Sequence, residues 1–185
     1  MPIRQRPPGR LLLAALLAVF LGAADAQPPP LSEADVKAGL VFNFARYVEW
    51  PKGAFGSPDA PFVICHMGHD RFATAFSALT GRSLKGRTVH VRLGVSPEQS
   101  AGCHLAFIAE VPAHGMAAAA HTLSAQGVLT VSDADGFIDS GGAIGIIPGE
   151  ERLQFEINRD ALDRAGLDAS SQLLKLAHSL IGRGR

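Results

Sequence analysis

Six side chains with donor atoms for metal or redox chemistry fall in two short stretches of this 185-residue chain. The first stretch carries Cys65, His66, Met67 and His69, and the second carries Cys103 and His104. Thiolate, thioether and imidazole donors in this mixture suit copper or zinc, provided the thiols are free. Four-ligand structural sites normally show a tighter paired spacing, and a disulfide would take both sulfurs out of the donor set. The chain has only these two cysteines, so the redox state of its compartment decides between the two chemistries.

The first residues address that question. Arg4, Arg6 and Arg10 form a basic segment, Leu11 to Leu21 an apolar core, and Ala24-Asp25-Ala26 a small-x-small site ahead of Gln27. These are the three parts of a secretory leader over residues 1–26. The apolar run is too short to span a bilayer comfortably, so the mature chain is expected not to insert in a membrane. Export places both cysteines in an oxidising space, and we read them as one bridge, Cys65–Cys103, with no stoichiometric metal and no cofactor. Two buried thiols are the alternative. Removing the leader takes Arg4, Arg6, Arg10 and Asp25 from a chain of 17 basic and 17 acidic residues, leaving it slightly acidic overall. Such a charge gives no reason to expect a nucleic-acid partner.

The elements that must hold these residues follow from pattern. Phe62 to Met67, closed by Gly68, is a short apolar run with Pro58 and Pro61 before it, which is how a strand covered on both faces reads. Leu105 to Ile108 is a second run of the same kind, Thr88 to Leu93 alternates, and Val128 to Ser132 follows an alanine-rich helix over 116–126. Asp70 is read as the cap of a helix running to Leu79, and Ser96-Pro97-Glu98-Gln99 as a compact helix start. Ala143 to Ile147 and Leu153 to Ile157 flank Pro148-Gly149-Glu150-Glu151, an antiparallel hairpin. Asn158 caps a short helix, and Ser170 opens a last helix expected to carry Leu173, Leu174, Ala177, Leu180 and Ile181 inward. The fold class is therefore α/β. Residues 27–185 make one three-layer domain, a mostly parallel sheet flanked by helices with an antiparallel C-terminal edge hairpin.

Enzyme signatures are missing from this frame. The chain has no Gly-rich phosphate loop, no dinucleotide fingerprint after the first strand and no Gly-x-Ser-x-Gly elbow, so it is read as a non-enzyme. Asp133 and Asp135 follow the strand ending at Ser132, where an α/β ligand crevice can open, and Gly68, Asp133, Gly141 and Gly142 are its candidate lining. Turn and capping duty is the favoured explanation of both aspartates. The helix over about 33–49 starts at Ser32 with a capping box and repeats Val36, Leu40, Phe44, Tyr47 and Val48 at helical spacing. If that stripe faces the sheet, Phe42, Arg46 and Glu49 point outward, with Asn43 and Trp50 along one edge, and these five are the candidate partner-binding residues.

Those residues also carry a resemblance. Lys37-Ala38 followed by Phe42-Asn43-Phe44-Ala45-Arg46-Tyr47-Val48-Glu49-Trp50-Pro51 resembles the N-terminal signature of the YfiR-like family of periplasmic regulators. Later blocks agree in order, from Cys65 to Gly68 and Cys103-His104 through Val128 to Asp133 with Gly136-Phe137, Gly141-Gly142-x-Ile144 and Phe155 to Asn158 to Leu176-Ala177. The resemblance implies a repressor that binds the periplasmic sensor domain of an inner-membrane diguanylate cyclase, lowering cyclic di-GMP and biofilm formation. It further implies an OmpA-like outer-membrane lipoprotein that can sequester the repressor, and it leaves a homodimer open. Cys65 and Cys103 match positions that can be bridged in the family, and a further cysteine pair found near the hairpin in some members is absent here. From the residues alone, a periplasmic small-molecule or metal-binding module remains the alternative.

Overall fold

A fifteen-residue helix, α1 (Glu33–Tyr47), leads into everything else. Ser32 starts it: its Oγ accepts from the Asp35 N–H, and the Asp35 carboxylate accepts from the Ser32 backbone N–H. This reciprocal cap satisfies donors that the first turn would otherwise leave unpaired. The computed structural model describes residues 31–109 and 113–183; the expected leader and the proline-rich residues 27–30 lie outside the described residues. Among the described residues no helix is long and apolar enough to cross a membrane.

After α1 come β1 (Val48–Glu49), β2 (Phe62–Met67), α2 (Ala73–Ser77), β3 (Ser83–Leu84) and β4 (Arg87–Leu93). A 3-10 turn over Pro97–Gln99 precedes β5 (Leu105–Ile108), α3 (Ala113–Ala125) and β6 (Leu129–Ser132). The chain closes with β7 (Ile144–Ile147), β8 (Gln154–Asn158), α4 (Arg159–Arg164), β9 (Asp168–Ala169), α5 (Ser171–Leu176) and β10 (Ser179–Ile181).

Eight strands make one mixed sheet in the order β10-β8-β7-β6-β5-β2-β4-β3. The neighbours from β4 to β7 pair in parallel, with Ile64 beside Leu105 and Val131 beside Ile144, while β7 and β8 form the expected antiparallel hairpin. Alternate residues of the buried strands divide between two cores, as the strand period requires. Phe62, Ile64, Leu105 and Phe107 join side chains from α1, α2, α4 and α5, whereas Cys65, Met67, Ala106 and Ile108 join Met116, Ala120 and Leu123 of α3. Both faces being covered is why β2 and β5 read as continuous apolar runs. A second, two-stranded sheet pairs β1 with β9, tying the exit of α1 to the C-terminal region.

Two expectations need correction. Asp70 does not cap a long helix: its Oδ1 accepts from the Phe72 N–H at 2.9 Å in a local turn, and helix begins only at Ala73. The last helix does not run to Ile181, because α5 ends at Leu176 and Ala177 is extended. Residues 179–181 instead add to β8 in parallel, outside the hairpin, with the Ser179 hydroxyl donating to Glu156 Oε1 at 2.6 Å. Satisfying the open backbone groups of β8 outweighs a weak helical pattern there, and Leu180 and Ile181 end up exposed.

Candidate interaction surfaces

The face of α1 that enters the core matches its apolar spacing only in part: Phe44 and Val48 are buried as expected, but the buried arc extends to Phe42 and leaves out Val36. Lys37, Ala38, Val41, Phe42, Phe44, Ala45 and Val48 are buried, while Val36 is exposed and Leu40 and Tyr47 are half-buried. Phe42, expected to point outward, is only 6% exposed and belongs to the main core cluster. Helix α2 and the β3–β4 hairpin supply the cover on that side. Val36 and Leu40 instead line a surface trough with Leu153, Phe155 and Leu176.

Of the five expected partner-binding residues, Asn43, Arg46 and Glu49 remain exposed. Arg46 and the rim of Phe42 open onto a groove whose other wall is Arg82, Ser83, Leu84 and Lys85. The Arg82 guanidinium lies 4.5 Å from the centroid of the Phe42 ring, a cation–π contact. Lys85 Nζ pairs with the Glu49 carboxylate. The wall exists because Lys85 and Gly86 both take positive φ, 50° and 77°, the two-residue turn that joins twisted antiparallel strands tightly. Sequence reading overlooked this hairpin, although Lys85-Gly86 between Ser83-Leu84 and Arg87-Thr88 is the signal that marks it.

Trp50 turns inward. Its Nε1–H donates to the His104 carbonyl at 3.3 Å, and its ring meets Phe62 edge-on at 4.9 Å. His104 stacks on Phe55 at 4.4 Å, and its Nδ1 accepts from the Val63 N–H at 3.0 Å, which fixes the neutral ring with the proton on Nε2. Burial holds its pKa below the ordinary histidine range; a hydrogen bond to the Ala54 backbone opposes this and the Arg87 charge adds to it. Together these contacts pin the loop between β1 and β2 against the sheet.

Cys65 and Cys103 are bonded, with Cα atoms 5.9 Å apart. The bridge joins the middle of β2 to the residues leading into β5, and both sulfurs are buried in the α3-side core. The histidines near it go separate ways. His66 is buried with its Nε2 3.1 Å from Asp70 Oδ1 and its ring against Phe76 and Phe107, His69 approaches Gly94, and His104 joins the aromatic cluster. Among the described residues no group of three or more His, Cys, Asp or Glu side chains is placed to hold a metal ion.

At the carboxyl end of β6, where a ligand crevice was sought, the chain has placed its own lysine. Lys37 Nζ donates to Asp133 Oδ2 at 2.5 Å, pairs with Glu33 at 2.7 Å and sits 4.4 Å from the Phe72 ring centroid. Burial disfavours its charge, but the bonds to Asp133 and Glu33 outweigh that and raise its pKa. Gly68 turns the chain out of β2 at φ 122°. A Cβ on Gly142 would fall 2.1 Å from the Phe137 ring, and one on Gly141 3.1 Å from His121, so these glycines make room for the chain's own side chains.

This architecture is an α/β domain, a mostly parallel eight-stranded sheet flanked by helices with a small antiparallel sheet beside it. A family model described as YfiR/HmsC-like (DUF4154) matches residues 34–178, and the chain belongs to that family. Its members are periplasmic regulators. Among solved structures, a conserved domain protein from Vibrio cholerae O1 biovar eltor str. N16961 is similar at a TM-score of 0.51 and 11% identity, covering 81% of this chain. An ABC domain from Streptococcus pneumonia, solved in complex with L-Trp, is similar at 0.50 and 9% identity, covering 78%. The chain spans 60% of each of those two chains, and at such identities the likeness is one of fold.

Proposed function

We propose that this protein is an exported repressor that binds the periplasmic sensor domain of an inner-membrane diguanylate cyclase, keeping cyclic di-GMP and biofilm formation low. The observation that carries the reading is the family match across residues 34–178. The bridged cysteines, which suit an oxidising compartment, support it. Release would come when an OmpA-like outer-membrane lipoprotein binds the repressor instead. The test is deletion in the source bacterium with cyclic di-GMP measured directly, alongside co-purification of the exported protein with candidate membrane cyclases. A rise on deletion, reversed by the gene supplied in trans and absent when the cyclase is also deleted, is expected. Unchanged cyclic di-GMP on both deletion and overexpression would overturn the proposal.

A further inference from the structure

The geometry points to the groove between α1 and the β3–β4 hairpin as the seat of an acidic peptide segment on the partner protein, held by Arg46, Arg82 and the backbone of Ser83. The partner's being a protein rests on the regulator reading above; the chemistry of the groove does not.

Three observations converge. The first is charge. Among the described residues no carboxylate pairs with Arg46 or Arg82, although both are exposed and the whole chain balances 17 basic against 17 acidic residues. Glu49, which borders the groove, is engaged by Lys85. The second is preorganisation. Arg82 is stacked over Phe42, whose ring is fixed in the core, so its planar fork is held ready to accept a carboxylate side-on with little further loss of side-chain freedom. The third is the backbone. Leu84 and Arg87 flank the two-residue turn and form the hydrogen-bonded pair, so the next pair, Ser83 and Thr88, is the non-bonded kind. The N–H and C=O of Ser83 therefore face out of the sheet along the rim of the groove, where β3 is the terminal strand.

The third observation selects a peptide over other anions. An extended acidic segment can place carboxylates on the two guanidinium groups and pair its own backbone with Ser83, in the manner of an added strand. A free phosphate uses only the cations. An anionic lipid surface is read by clusters of about four to eight basic residues, and this groove offers three with one already paired.

The experiment uses the mature chain, isotope-labelled for amide NMR, with hexaglutamate as probe. Shifts confined to the segment around Arg46 and to Arg82, Ser83 and Lys85, lost in about 0.5 M salt, are expected. Arg46→Gln with Arg82→Gln should weaken the probe at least about tenfold and either single change should weaken it less, while Arg164→Gln, a single-charge control on α4, leaves it unchanged. Matching melts for all of these proteins confirm that folding is intact, and Arg82→Lys, which keeps the charge and loses the fork, should fall between. Shifts elsewhere, an unaffected double variant, or equal binding of inorganic phosphate or phosphatidylglycerol vesicles would overturn the proposal. A parallel pull-down with the cyclase's sensor domain separates the two claims. If the unmodified protein fails to retain that domain, the regulator reading falls while the titration still judges the groove. If it retains the domain and the double variant retains it equally, the groove proposal falls.

Discussion

Replacing Phe42 by alanine distinguishes the observed orientation of α1 from the one its apolar spacing suggests. The ring is 6% exposed, lies in the main core cluster and carries Arg82 across its face. Truncating a buried phenylalanine costs about 3–5 kcal/mol, with the spread set by how far the site can collapse or admit water. Phe42 borders an open groove, which places it at the low end, about 3 kcal/mol including the lost cation–π contact. For a domain of this size each kcal/mol moves the melting temperature by about 2–4 °C, so a drop of about 6–12 °C is expected. Thermal unfolding followed by circular dichroism, with urea midpoints as a second measure, reads it directly. Arg46→Ala, one turn further along and exposed, should stay within about 0.5 kcal/mol of the unmodified protein. If Phe42→Ala melts with the parent, the ring is not in the core and the account of α1 is wrong.

Three further outcomes follow from contacts described above. Lys37→Met should cost about 2 kcal/mol, less than the loss from a fully buried pair because Asp133 keeps some solvent access, and a urea midpoint equal to the parent's would show that the pair contributes nothing net. Since the folded-state pKa of His104 lies below its unfolded value, stability is highest above the ordinary histidine range near pH 6.5, falls as pH drops through it and levels off below the depressed value. His104→Asn should flatten that component of a pH series of melts, and an unchanged profile would assign the slope to other groups. Reducing Cys65–Cys103 opens a loop of sequence separation 38 and should lower stability by about 2–4 kcal/mol; two reactive thiols per chain in denatured, unreduced protein would refute the bridge itself.

Much of the sheet was legible because burial on both faces leaves an unambiguous mark. Phe62 to Met67, Leu105 to Ile108 and Leu129 to Ser132 are mostly apolar, and their shortness and flanking turn residues favour strand over buried helix. Helix α1 was legible in extent and misleading in phase. Val36, Leu40, Val41, Phe42 and Phe44 spread apolar surface around most of its circumference, so spacing alone could not say which arc meets the sheet. Tertiary cover from α2 and the β3–β4 hairpin decided it, and that hairpin is built from strands too short to show periodicity. The cationic groove was hidden for the same reason, since Arg82 and Lys85 meet Arg46 only across that turn. The C-terminal strand went unseen because three residues pairing with β8 satisfy a need that lies about twenty residues away in sequence, which local propensity does not register.

The bridge between β2 and the entry to β5 has a bearing on how the molecule survives damage. Everything from residue 66 to residue 102, including α2 and the whole β3–β4 hairpin, lies inside the covalent ring that Cys65 and Cys103 close. The Lys85–Gly86 peptide bond lies at an exposed tip and follows a basic side chain, the kind of place where a trypsin-like protease cuts. A single cut there would leave one molecule rather than two, with each half of the hairpin still anchored through its own strand to the sheet. Such nicked protein would run as one band without reductant and as two with it. The wall that presents Arg82 would be loosened at its tip while its base stayed tethered, so scission would act as a graded loss of the groove and not as the loss of the protein.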